Sequence, residues 1–399
     1  MKKLLLITAV TIASVSAHAS RARLNALQNA QHLDDIQRIY IDQPERMVNY
    51  EAATLEFGGN AGANPSAEGG FIRRMGDSAF TMYLGRPSQT FGDFVSGFTG
   101  NFTGATAPLG ANLAAGHTQQ NSLLLGYGSK MGDISWGATV LHIGNDFRGT
   151  QTFGNLTGTE TLGYSVSRIE QSITGVHLGA TNGVWDVQLR QGLGAAIKST
   201  ISGVGAQFGG ATGLAANDVL NVEATQSTRL RAGYKMDTMY VYGNYAMGAG
   251  EIKTPDGKLV DLENSEVRLG VVNSNKKDGV EFFYGAEVVS TTADNDGSVA
   301  AGKTETTNVP VFVGIEAEAT SWMVLRGGLS QSINLLSSTK RTGTSESDIA
   351  DNTTTSLGAG FKWGKAMIDA VVSTGNTGNF GSNGANGDIL GQASLTYFF

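Results

Sequence analysis

The chain has 399 residues, with 55 Gly, 6 Pro and no Cys, and a formal net charge of -7. The lack of Cys excludes a disulfide framework and thiolate metal sites. The acidic balance argues against a nucleic-acid partner, which calls for a basic surface. Only 40% of the residues are hydrophobic, a share that a membrane β-barrel tolerates because half of each strand faces a polar interior.

Residues 1–19 have the pattern of a secretory signal peptide: Lys2 and Lys3, an apolar stretch from Leu4 to Val15, and Ala17-His18-Ala19 as a small-x-small cleavage site. The apolar core is shorter than the roughly 20 residues a membrane helix needs. No later segment is long and apolar enough either, so any membrane span has to be made of strands. From Ser20 to about Tyr40, Leu24, Leu27, Ala30, Leu33, Ile36 and Ile39 recur at three-residue spacing. That spacing predicts a helix, which Pro44 would end. Residues 20–49 are expected to sit at the periplasmic mouth or just inside a barrel, or to act as a plug that gates it.

Residues 50–399 carry period-two segments of about ten residues. Val280, Phe282, Tyr284, Ala286 and Val288 alternate with Glu281, Phe283, Gly285, Glu287 and Val289. Trp185, Val187 and Leu189 alternate with Asp186, Gln188 and Arg190. Such segments suit tilted transmembrane strands of about 9–11 residues, with one face in lipid and one in water. Seven short connections, including Met75-Gly76-Asp77, Thr181-Asn182-Gly183 and Trp363 to Lys365, alternate with eight long ones at about 59–68, 86–119, 145–167, 196–220, 249–260, 292–304, 334–352 and 375–386. Short periplasmic turns and long extracellular loops are the expected asymmetry. The expectation is an all-β, transmembrane, antiparallel up-and-down β-barrel of 16 strands with a short N-terminal helix. If the first hairpin stays outside the membrane, 14 strands remain. Trp136, Trp185, Tyr234, Tyr240, Trp322, Trp363 and Tyr397 fall near the short turns, where a headgroup girdle would place them.

Removing the lipid-facing series leaves the pore-lining candidates Arg190, Arg229, Arg231, Arg268, Arg326, Glu223, Glu266, Glu281, Glu287, Glu316 and Asp369, together with Asp186, Glu318 and Lys362. Arg or Lys facing lipid at the midplane would cost about 2–4 kcal/mol, so these groups are expected to face inward. Their acidic excess hints at weak cation preference. In the 86–119 loop, Phe91, Phe94, Phe98 and Phe102 recur every three or four residues, as a constriction loop or an apolar docking patch would. No catalytic residues are assigned. His32 lies in the N-terminal helix, His117 in a Gly- and Ala-rich loop with no neighbouring acid, and His142 and His177 near the outer ends of strands, where a wet girdle residue is expected. Asp294-Asn295-Asp296-Gly297-Ser298 has Val299 where a calcium loop requires Gly, so no metal site is expected.

At the C-terminus, Ile389, Gly391, Ala393, Leu395, Tyr397 and Phe399 form an every-second-residue series closed by an aromatic. This resembles the final strand of bacterial outer-membrane β-barrels, and the whole mature chain resembles the porins among them. The resemblance implies that Tyr397 and Phe399 form an assembly signal read by the barrel-assembly machinery. It also implies a setting in outer-membrane lipid and lipopolysaccharide, no cofactor, and small solutes as cargo, and it leaves a homotrimer open. A second resemblance, to the outer-membrane long-chain fatty acid transporters, rests on Asp34-Asp35-Ile36, Ile39-Tyr40 and Gln43-Pro44-Glu45, without the Asn and Ala that flank the family's Pro. It would imply 14 strands, a plug and an apolar ligand path. The expected function is a passive aqueous channel for small hydrophilic solutes and ions. The alternatives are a plugged barrel for hydrophobic compounds, and a structural or surface-recognition barrel with a filled lumen.

Overall fold

The computed structural model describes residues 20–58, 67–85, 122–153, 164–204, 215–254, 257–297, 302–341, 352–373 and 392–399. Segment 1–19 and the loop residues Phe91, Phe94, Phe98 and Phe102 lie outside the described residues. The wall consists of β1 (Ala52–Gly58), β2 (Ala67–Met75), β3 (Ser78–Leu84), β4 (Ser122–Met131), β5 (Ile134–Phe153), β6 (Tyr164–Thr181), β7 (Trp185–Val204) and β8 (Val219–Met236). It continues through β9 (Met239–Thr254), β10 (Gly257–Lys277), β11 (Val280–Gly297), β12 (Gly302–Thr320), β13 (Met323–Arg341), β14 (Asn352–Trp363), β15 (Ala366–Ser373) and β16 (Gln392–Phe398). Each strand pairs with its neighbours in chain order, and β1 pairs antiparallel with β16 to close the ring. The first hairpin is therefore part of the wall, and the barrel has 16 strands rather than 14.

The two faces of the wall are inverted relative to a water-soluble sheet. Val280, Phe282, Tyr284 and Val288 point outward, and Leu269 is 61% exposed, whereas the inward Glu287, Glu316 and Asp369 are buried. An apolar belt of this extent would be costly in water and is at home in lipid. Trp136, Tyr234, Trp322, Trp363 and Tyr397 are exposed near the short-turn end, as a girdle requires. Tyr240 departs from that expectation: it is buried, with its hydroxyl on Asp186 inside the lumen. The repeated Met-Gly-Asp turns depend on Gly76 and Gly132 at φ +64 and +61, in the left-handed region that tight hairpins use.

Strands on the far side of the barrel are longer than the hydropathy pattern indicates. β7 has 20 residues and β10 has 21, and β9 to β12 take up much of the connections expected at 249–260 and 292–304. Beyond the lipid belt both faces meet water, so period two in hydropathy disappears while backbone pairing continues. Polar cross-strand partners replace it: Arg168 Nε donates to Asp146 Oδ1 at 2.8 Å, and Asp294 stands opposite Lys303.

The N-terminal segment fills part of the lumen. It forms α1 (Arg21–Ala26), α2 (Ile36–Ile41) and a 3-10 helix over Pro44–Asn49. Ser20 caps α1, its Oγ accepting from Arg23 N at 3.0 Å, and Asp35 caps α2, its Oδ1 accepting from Gln37 N at 2.9 Å. The single helix expected over Ser20 to Tyr40 is broken, because Gln28 and Asn29 take left-handed φ of 57° and 53°. The apolar stripe accordingly splits. Leu24, Leu27, Ala30 and Leu33 pack on Tyr240, Tyr242, Val272, Phe283 and Phe312. Ile36, Ile39, Tyr40, Met47 and Val48 pack on Ala52, Ile72, Tyr83 and Leu124. The segment, termed the plug for its place in the lumen, is a cross-brace between two walls.

Glycines make the close approach possible. Gly128, Gly137 and Gly179 stand opposite one another across β4, β5 and β6. A Cβ at Gly137 would collide with the Pro44 carbonyl, and one at Gly179 with the Glu45 carboxylate. On another part of the wall, a Cβ at Gly358 would lie 2.6 Å from Ala26 Cβ. Gly137→Leu is therefore expected to leave the wall intact and displace the plug, since forcing a side chain into filled space costs about 1–3 kcal/mol. Limited trypsin digestion of the folded barrel should then cut at Arg38 and Arg46, where the native protein resists. Equal resistance in both would show that the glycine row does not seat the plug.

Candidate functional site

The lumen is organised around charges carried by the plug. Arg23 is fully buried; it donates through Nε to Glu316 Oε2 at 2.8 Å and through Nη2 to Glu316 Oε1 at 3.2 Å, and its Nη1 reaches Asp35 Oδ2 at 3.0 Å. Glu316 Oε2 also accepts from Arg326 Nε at 2.7 Å, Arg326 Nη1 meets Asp369 Oδ1, and Ser20 Oγ donates to Asp369 Oδ2 at 2.8 Å. Of the pore-lining candidates, Glu316, Arg326 and Asp369 thus belong to a buried lock between plug and wall. Burial disfavours the charge on Arg23, yet Glu316 and Asp35 outweigh it and hold the guanidinium above its ordinary pKa.

The remaining candidates divide by height in the barrel. Glu281 lines a cavity of about 800 Å³ at the short-turn end, together with His32, Asp34, Arg46, Asp186 and Tyr240. Arg229, Arg231, Arg268 and Glu266 line a second cavity of about 270 Å³, with Arg38 and Asp42 of the plug. Arg190 Nη2 donates to Asp42 Oδ1 at 2.7 Å, and Glu287 Oε2 accepts from Arg268 Nη1 at 2.9 Å. Glu223 pairs with Lys253 at 3.3 Å farther along the wall, and Lys362 pairs with Glu318 at 3.1 Å at the short-turn rim, both partly exposed.

A hydrogen-bonded row joins the linings of the two cavities. Arg231 Nη2 donates to Gln31 O at 3.3 Å and to Tyr240 Oη at 3.1 Å, and Tyr240 Oη donates to Asp186 Oδ2 at 2.9 Å. Arg231 faces the smaller cavity, and Tyr240 and Asp186 face the larger. The plug residues Arg23, Asp35, Arg38, Asp42 and Glu45 were not among the sequence candidates. For Arg23, Asp35 and Arg38 the signal was charge inside an otherwise apolar helical stripe, and Asp42 and Glu45 lie beyond it.

A closed 16-strand barrel, apolar outside and charged inside, is the architecture of outer-membrane β-barrels. No protein-family model matches the chain, and no curated protein matches it. Solved structures are similar in fold. They include outer-membrane expressed OmpT of Vibrio cholerae, at 12% identity over 87% of this chain and 95% of that one with a TM-score of 0.36, and a porin, at 14% identity over 88% and 99% with a TM-score of 0.35. CdiB from Acinetobacter baumannii is similar at 9% identity over 88% of this chain and 60% of its own, with a TM-score of 0.44. These likenesses concern the fold alone.

Two plug carboxylates respond to pH. Burial raises Glu45, whose Oε1 accepts from Gln188 Nε2 at 2.8 Å, from 4.5 to about 7. Burial raises Asp35 to about 6 against the pull of Arg23. A raised pKa means that the docked plug favours the protonated form, so this contribution is full below about pH 4.5 and is lost as pH rises through about 7. Because the chain has no Cys, a spin label on Asn49→Cys would report docking cleanly. It should become more mobile between pH 5 and pH 8, and adding Glu45→Gln should flatten that change. A response unaltered by Glu45→Gln would remove Glu45 as its source.

Proposed function

We propose that the protein is a pore of the bacterial outer membrane for small hydrophilic solutes, narrowed by its own N-terminal segment and delivered by a cleavable signal peptide at residues 1–19. The observation that carries this reading is the pair of charge-lined cavities, about 800 and 270 Å³, whose linings are joined by the Arg231–Tyr240–Asp186 row. Charged walls suit water and polar solutes, and selectivity follows from width and lining charge. Hydrophobic cargo fits less well. The aromatic lumen wall at Tyr240, Tyr242, Phe283 and Phe312 is already covered by Leu24, Leu27 and Leu33.

With the plug seated among these charges, the native protein should conduct in small or brief steps in a planar bilayer. Removing residues 20–49 should give a large, steady conductance. Arg231→Ala, which opens the row and leaves the Arg23 lock in place, should fall between the two. Zero conductance from the correctly folded plug-deleted barrel would refute the pore and favour a structural barrel.

A further inference from the structure

The smaller cavity has more positive charge than its own carboxylates neutralise. Arg38, Arg229, Arg231 and Arg268 face it, against Asp42 and Glu266. Arg268 is engaged, with Nε 3.3 Å from Glu266 and Nη1 2.9 Å from Glu287. Arg38, Arg229 and Arg231 surround Asp42, which also takes Arg190 at 2.7 Å. Despite burial, these four arginines hold the Asp42 carboxyl well below its ordinary range.

Arg231 is only 6% exposed, and its Nε and Nη1 have no hydrogen-bond partner among the described residues. Arg38 is 3% exposed; it donates to Asn29 O at 2.7 Å and Ala30 O at 2.9 Å, and its Nε is likewise unpartnered. A buried guanidinium N–H without an acceptor is costly, and planar guanidinium groups match carboxylate and phosphate oxygens in geometry and charge. The net excess of two positive charges on the cavity wall equals the charge of a dianion. At about 30 Å³ per water, the 270 Å³ has room for a solute of some eight or nine heavy atoms.

We propose that this cavity is a binding site for small dianionic oxyanions of the dicarboxylate or phosphate class, shared between the plug and the β8–β10 wall. The site would name the solute class of the pore and to that extent rests on the pore reading, but binding itself needs no conduction. The tally of strand charges alone points toward cations. Around this cavity the strands alone bring Arg229, Arg231 and Arg268 against Glu266, and Arg38 of the plug offsets Asp42. Asp42 is the resident counter-charge with which an incoming anion has to compete.

The test is calorimetric titration of the full mature protein, folded in neutral detergent at low ionic strength. Succinate and inorganic phosphate are titrated separately, with uncharged succinamide as the control. Saturable binding of succinate, phosphate or both is expected, without binding of succinamide. Arg38→Gln should weaken it at least tenfold. Asp42→Asn should tighten it severalfold, a gain that misfolding cannot mimic. Binding of neither anion, or an affinity unchanged by both substitutions, would overturn the site. Binding without bilayer conductance would leave the site standing and defeat only the pore.

Discussion

A guanidinium removed from water costs several kcal/mol unless carboxylates meet it, and Arg23 meets two, Glu316 and Asp35. The rest of the lumen follows from that pairing. Glu316 is shared with Arg326, Arg326 reaches Asp369, and Asp369 accepts from Ser20. The chain of contacts returns to the plug it started from. Removing one member of such a buried pair costs about 3–5 kcal/mol, largely because the partner is left uncompensated. The lock therefore penalises any position of the plug that parts these groups, and apolar packing acts beside it.

The packing has two sides. Leu24, Leu27 and Leu33 rest on the aromatic wall, while Ile36, Ile39 and Met47 rest on the wall near β1 to β4. Each buried side chain of this size contributes about 1.5–3 kcal/mol. Because both groups belong to one short segment, moving either exposes part of the other. The glycine row under Pro44 and Glu45 adds a steric fit on the same side as the second group. A brace held at two walls by packing and at its start by charge favours a small set of discrete positions over gradual sliding.

The barrel was legible in the sequence, and the site largely was not. Alternation such as Val280 to Val289 reports a wall with lipid on one side and water on the other, and Gly76 and Gly132 report turns that need left-handed backbone. Where water lies on both sides the alternation fades, so the ends of β7, β10 and β12 resembled loops. The helical stripe of the plug was visible, but Gln28 and Asn29 carry no signature strong enough to mark the break that sends its halves to different walls. Tyr240 stood at girdle height, and only the register of its strand turns it inward. The charged wall residues were found by elimination. Their partners Arg23, Arg38 and Asp42 come from a distant part of the chain, a pairing that strand periodicity does not encode.

Ser20 and Asp369 touch although 349 positions separate them. Asn25 likewise donates to Gln392 at 2.7 Å, on the last strand, whose far edge is zipped to β1. The start of the plug thus takes its partners from the opposite end of the chain. Arg21 N meanwhile donates to Glu56 on β1, on the other side of the seam. The plug is therefore an internal strap that ties the first and last strands of the cylinder together.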